Sequence, residues 1–245
     1  MKLGIPICDI VDAISSGTVF NKKLVAAILG TYDARSQFTI GRTFRVISWV
    51  REIGCRMNLS DFEMKELEIA ALFNDIGMWG MPSTILNKLD RLNGAEYKII
   101  KQHPILSLKT LAEFNFSKNI RDYILHHHES YDGSGYPDGL KGDEIPPGAQ
   151  IIGVACALFS LTSIRAYREP VSAQKAIEII ASETKQFRPD LIELLQDAQN
   201  DMGIMKVIDK EVVNPFEEIH SDIDDFDIDD EEDQELAEMK TIDCH

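Results

Sequence analysis

Residues 60–77 read SDFEMKELEIAALFNDIG, and this stretch decides the fold. Ser60 and Glu63 stand at the spacing of a capping box, in which the hydroxyl accepts from the Glu63 amide while the glutamate reaches back. Leu67, Ala70, Ala71 and Phe73 then recur on one helical face. Gly77 and Gly80 end the helix near Asp75. Working outward, Asn93-Gly94-Ala95-Glu96 opens a second helix through Ile99, Ile100 and His103, with a kink allowed at Pro104, which has no N–H to donate. A third helix is predicted from about Asn119 to His128, a fourth over 151–162, apolar enough to be buried, and a fifth over 172–184. A sixth starts near Pro189, because proline suits a first helical turn. Strands do not alternate with helices, so a doubly wound sheet is disfavoured and an all-α bundle follows.

Composition narrows the class. The chain has 245 residues, of which 44% are hydrophobic, enough for a real core. Cys8, Cys55, Cys156 and Cys244 are scattered without a CxxC pair, against a zinc ribbon or a disulfide framework. No apolar run approaches the roughly 20 residues of a membrane span, and no signal peptide is read in the first residues, so a soluble cytoplasmic protein is expected. The net charge of −16 argues against nucleic-acid binding. Much of that charge lies in EEIHSDIDDFDIDDEEDQE near the C-terminus, which cannot bury enough apolar area to order itself. Three segments follow: a lead-in helix over 1–20, a helical domain over 21–205, and an acidic, disordered tail over 206–245.

Chemistry concentrates at the ends of the middle helices. Asp75 terminates one, His103 lies in the next, and His126-His127-His128 ends a third. Helical bundles build metal sites by projecting such side chains inward from several helices. Histidine nitrogens mixed with carboxylate oxygens suit iron, manganese or zinc better than calcium. Three consecutive imidazoles cannot all face one way on a helix, so one or two point inward. The loop behind them, Asp132-Gly133-Ser134-Gly135-Tyr136-Pro137, turns at two glycines and is stiffened at its exit by proline.

The segment from 127 to 155, HHESYDGSGYPDGLKGDEIPPGAQIIGVA, resembles the signature of the HD-GYP domain, a metal-dependent phosphohydrolase family that opens the ring of cyclic di-GMP. PSTILNK over 82–88, Gln102-His103-Pro104, Leu161-Thr162-Ser163, Arg165-Ala166-Tyr167-Arg168 and Phe187-Arg188-Pro189-Asp190-Leu191 are similar too. The resemblance implies an HD-domain-like helical bundle, metal ligands at Asp75, His103, His127 and His128, and nucleotide contacts from Tyr136, Arg165 and Arg168. It also exposes departures. The histidine expected before Asp75 is Asn74, and the lysine that usually follows is Met78. An upstream histidine falls on Arg42, and a later metal aspartate falls on Cys156. Asn74 offers only a neutral amide, Cys156 offers a thiolate, and Arg42 sets a permanent charge where a cation belongs. The expectation is a degenerate HD-GYP protein holding at most one iron, manganese or zinc ion. It would bind cyclic di-GMP, or dock on a signalling protein such as a cyclic di-GMP synthase. The alternative is an active phosphodiesterase with an altered metal site, in which Asp75 is catalytic. A scaffold without a small ligand is the third reading.

Overall fold

The structure is a computed structural model and describes residues 42–163, 169–183 and 185–198. The predicted lead-in helix, the acidic tail, Arg165 and Arg168 lie outside them. The capping box forms as expected: Glu63 Oε2 accepts from the Ser60 amide at 2.9 Å, and Ser60 Oγ accepts from the Glu63 amide at 3.3 Å. The helix so started, α2 (Asp61–Phe73), is preceded by α1 (Arg42–Arg56) and followed by a 3-10 turn, Ile76–Gly80. A short α3 (Ser83–Leu86) leads to α4 (Gly94–Ile100), opened by Asn93, whose Oδ1 accepts from the amides of Ala95 and Glu96.

Three expected helices differ in their bounds. The helix read through His103 is two helices, because α4 stops before Lys101 and α5 (His103–Thr110) starts afresh with Pro104 in its first turn. A residue without an N–H is harmless there and disruptive further in. Next, α6 (Lys118–His126) is capped by the Ser117 hydroxyl and ends two residues earlier than expected. The long α7 (Pro147–Thr162) begins four residues early, with Pro147 in its first turn. Then α8 (Ala173–Ser182) lies within its predicted span, and α9 (Pro189–Ala198) starts where predicted. Among the described residues there is no strand, and no helix is long and apolar enough to cross a membrane.

The centre of the bundle is α7. It packs against α1, α6 and α8, while α2 lies against α1 and α6. Ala149, Ile151, Ile152, Val154, Ala155, Leu158 and Phe159 on α7 are all buried, as a helix apolar on most sides must be. Burial of each large side chain stabilises by about 1.5–3 kcal/mol. Glu66 ties α2 to α6: its carboxylate accepts from Ser117 Oγ and from Asn119 Nδ2 at 2.8 Å. The 3-10 turn lies on α5, and α5 also touches α6. The C-terminal end of α2, the start of α5 and the end of α6 therefore converge, with Arg42 and Cys156 presented from α1 and α7.

Candidate metal centre

Asp75, His103, His127 and His128 come together: one ligand atom from each lies within 4.8 Å of all the others. Their placement follows from where helices stop. Consecutive residues on an α-helix point about 100° apart. Because α6 ends at His126, both His127 and His128 leave the helix and turn into one pocket, with ring centres 4.1 Å apart. His126 stays on the helix and pairs with Asp138 at 3.0 Å. Asp75 is set at the head of the 3-10 turn by Ser107 on α5. The Ser107 hydroxyl donates to the Asn74 carbonyl at 2.8 Å and accepts from the Gly77 amide at 2.9 Å. Gly77 is required here, since a Cβ would run into the backbone of His103 and Ser107.

The donor set fits a cation. His103 Nδ1 lies 2.8 Å from the Ile100 carbonyl, and His127 Nδ1 lies 2.7 Å from the Ile124 carbonyl. Carbonyls accept only, so each Nδ1 carries a proton and each ring turns its Nε2 inward. Those two Nε2 atoms are 3.3 Å apart. Asp75 Oδ1, buried and without a donor, lies 3.0 Å from one and 3.5 Å from the other. A carboxylate oxygen and two ring nitrogens at these distances need a proton or a metal ion among them. Backbone-anchored histidines are also how proteins orient metal ligands.

The remaining side of Asp75 is taken. Arg42 Nη1 forms an ion pair with Asp75 Oδ2, and Arg42 Nη2 donates to Cys156 Sγ at 3.3 Å. Asn74 Nδ2 donates to the same sulfur at 3.4 Å. The guanidinium is backed by Phe159, whose ring centre lies 5.7 Å away, and Arg45 lies over that ring at 5.2 Å. Arg42, Asn74 and Cys156, far apart in sequence, thus form one cluster. Burial alone would raise the Asp75 carboxyl, but the Arg42 charge and the contacts to His103 and His127 outweigh it and hold it well below its ordinary value. Burial pushes the Cys156 thiol up to about 11, only partly offset by Arg42. A neutral thiol is therefore favoured near neutral pH over the thiolate that Cys156 could offer. Burial lowers His127, and burial with the neighbouring His127 and His103 holds His128 well below its ordinary value. Neutral imidazoles are the ligating form.

The signature loop covers this pocket. Tyr136 stacks on His128, ring centres 4.8 Å apart, and meets His103 edge-on at 6.5 Å. Burial and the neighbouring Tyr97 and Asp75 push its phenol upward, so it stays protonated. The Tyr136–Pro137 bond is cis, and Gly133 has φ +85°. A Cβ at Gly135 would collide with the backbone of Glu129 and Ser130. Glu129 Oε1 ties the loop back by accepting from the amides of Asp138 and Gly139 at 2.7 and 3.0 Å. Met78, half-buried in the 3-10 turn, brings no charge to the pocket. Ser107 and Phe159 were not singled out in the sequence. Ser107 stands four residues after His103 on one helical face, but a helical serine is too common to mark a site.

An HD-domain family profile matches residues 31–191, well over half of the chain. The chain belongs to the HD-domain family. Its curated relatives carry the HD-GYP resemblance further. The cyclic di-GMP phosphodiesterase PdeB of Borreliella burgdorferi is 33% identical over 66% of this chain and 46% of its own length. The 3'3'-cGAMP-specific phosphodiesterase 2 of Vibrio cholerae is 29% identical over 71% of this chain and 34% of its own. The chain thus spans less than half the length of these relatives. Among solved structures, a cyclic GMP-AMP phosphodiesterase from Vibrio cholerae superposes with a TM-score of 0.55 at 20% identity, covering 71% of this chain and 47% of that one. That likeness speaks for the fold. The all-α HD-type bundle expected from sequence is the fold found.

Proposed function

We propose that this chain is a degenerate HD-GYP module that binds cyclic di-GMP or a related cyclic dinucleotide and does not hydrolyse it efficiently. The observation that carries this reading is the Arg42–Asp75 ion pair. The family's chemistry, as the resemblance implies it, needs at least two metal ions sharing an aspartate. Here one oxygen of Asp75 faces the histidines and the other is held by a guanidinium. Two cations can share a carboxylate, and in this chain one of them is covalently part of the protein. A second metal ion would have to displace a buried positive charge, with Cys156 as a neutral thiol and Asn74 as an amide in place of charged or basic ligands.

One iron, manganese or zinc ion fits Asp75 Oδ1 with His103, His127 and His128. When bound, it would supply a Lewis-acidic charge for a phosphate oxygen. Arg42 orients Asp75 and keeps it ionised, Tyr136 shields the His128 face, and the Nδ1 anchors fix the two imidazoles. Arg165 and Arg168 are proposed as further phosphate contacts, since guanidinium forks match phosphate oxygens. A protein partner such as a cyclic di-GMP synthase fits the same reading.

The surviving four-ligand cluster favours one competing reading, a phosphodiesterase working with a single ion and Arg42. Two measurements on the purified, untagged protein separate them. The first counts bound metal after loading with manganese, iron(II) or zinc, and one ion per chain is expected. The second follows cyclic di-GMP binding and breakdown together. Binding without breakdown is expected, with breakdown appearing in the Arg42→His, Asn74→His, Cys156→Asp triple variant. Two tight metals, or robust wild-type turnover lost in His127→Ala, would sink the degenerate reading.

A further inference from the structure

Lys101 differs from Lys88, Lys118 and Lys175 in what holds its ammonium. Lys88 pairs with Glu96, Lys118 with Asp122 and Lys175 with Glu178. Among the described residues no carboxylate pairs with Lys101. Its Nζ lies instead 5.1 Å from the ring centre of Tyr97 and 5.0 Å from that of Tyr136. Tyr97 stands four residues earlier, on the same face of α4. Tyr136 is the ring that stacks on His128 of the metal centre. Lys101 also sits in the two-residue break between α4 and α5. The His103 ring bonded to the Ile100 carbonyl locks that break to the metal centre. The ammonium is therefore held at a fixed place beside the pocket mouth by two aromatic rings, with its N–H donors uncommitted to an anion. Tyr97 is 47% exposed, so one of the two rings remains open to a flat ligand.

We propose that Lys101, framed by Tyr97 and Tyr136, is a phosphate-binding residue at the mouth of the site. It contacts phosphate oxygens of the cyclic dinucleotide and supplies positive charge there. The exposed Tyr97 ring offers a stacking surface to a base of the same ligand. Cation–π contact with two rings positions an ammonium without neutralising it, so its charge remains available to an incoming anion. The inference rests on the nucleotide reading above, and its test separates the two.

Wild type, Lys101→Met and Lys101→Arg, each as the 245-residue chain, are loaded with the same metal. Each is titrated calorimetrically with cyclic di-GMP at low and high salt, and separately with inorganic pyrophosphate. Lys101→Met keeps the stem against the rings and removes only the charge. The expected result is about tenfold weaker cyclic di-GMP binding in Lys101→Met, with a flatter salt dependence and recovery in Lys101→Arg. Metal content and melting temperature should match wild type. Wild-type affinity and salt dependence in Lys101→Met would overturn the proposal while leaving the nucleotide reading intact. If wild type binds no cyclic di-GMP, the nucleotide reading fails and pyrophosphate decides. Pyrophosphate binding lost in Lys101→Met upholds a phosphate site, whereas equal or absent binding in both chains removes it.

Discussion

Arg42 and Asp75 form a buried ion pair, with side chains 9% and 11% exposed. Removing one partner of such a pair leaves the other charge stranded, at a cost of about 3–5 kcal/mol. Arg42→Met in metal-free protein should therefore lower unfolding stability by that amount in urea, and added manganese or zinc should recover part of it by supplying a replacement charge. A loss below about 1 kcal/mol would mean that the guanidinium is not the counter-charge of Asp75. The histidines set the pH dependence. Burial keeps His128, and less strongly His127, below the ordinary histidine value. As pH falls below about 6.5, the unfolded chain takes up protons that the folded one refuses, so stability drops. Asp75 works at lower pH: its contribution is complete above about 4 and is lost only as pH falls towards its depressed folded value. The urea midpoint of metal-free protein should thus fall between pH 7 and 5, well before carboxylates titrate. A flat midpoint over that window would contradict neutral, buried imidazoles.

At the scale of elements, Ser107 joins the turn after α2 to α5. Ser107→Ala would leave the Asn74 carbonyl and the Gly77 amide unpaired in a fully buried place. Each such group costs about 1–3 kcal/mol. The expected outcome is a lower urea midpoint together with weaker metal binding, since Asp75 loses its support. Unchanged metal affinity would show that the turn holds without this bridge. Three helix starts were legible because their signals are local: Ser60, Asn93 and Ser172 each accept from their own first turn. Helix ends were less so. Nothing local says that α4 must stop at Ile100 or α6 at His126. Pro104 marks the neighbourhood of the first break, and at both ends a ring, His103 or His127, bonds a carbonyl of the preceding turn, Ile100 or Ile124. The four candidate ligands, Asp75, His103, His127 and His128, were named from the signature, and the fold brings them together. What no local pattern could give was that Arg42, Asn74 and Cys156 meet around one sulfur, because α1, α2 and α7 bring them together only through packing.

At the scale of the molecule, the candidate metal centre is a joint among helices. Asp75 follows α2, His103 starts α5, and His127 and His128 follow α6, while Arg42 and Cys156 bring in α1 and α7. A metal ion bound there contacts groups that are scattered in the unfolded chain, so binding is linked to folding of the bundle. At a free metal concentration a hundredfold above Kd, the folded state gains about 2.7 kcal/mol. For a domain of this size that is a rise of roughly 5–11 °C in melting temperature. Manganese, iron(II) or zinc should each raise the melting temperature with a concentration dependence that fits one site, and a chelator should reverse it. In His127→Ala the response should largely vanish. In the Arg42→His, Asn74→His, Cys156→Asp variant it should grow steeper and fit two sites, because the resident guanidinium has been replaced by ligands. The same small rise in all three proteins would place the bound metal elsewhere and leave the convergence of the helices without a metal to hold.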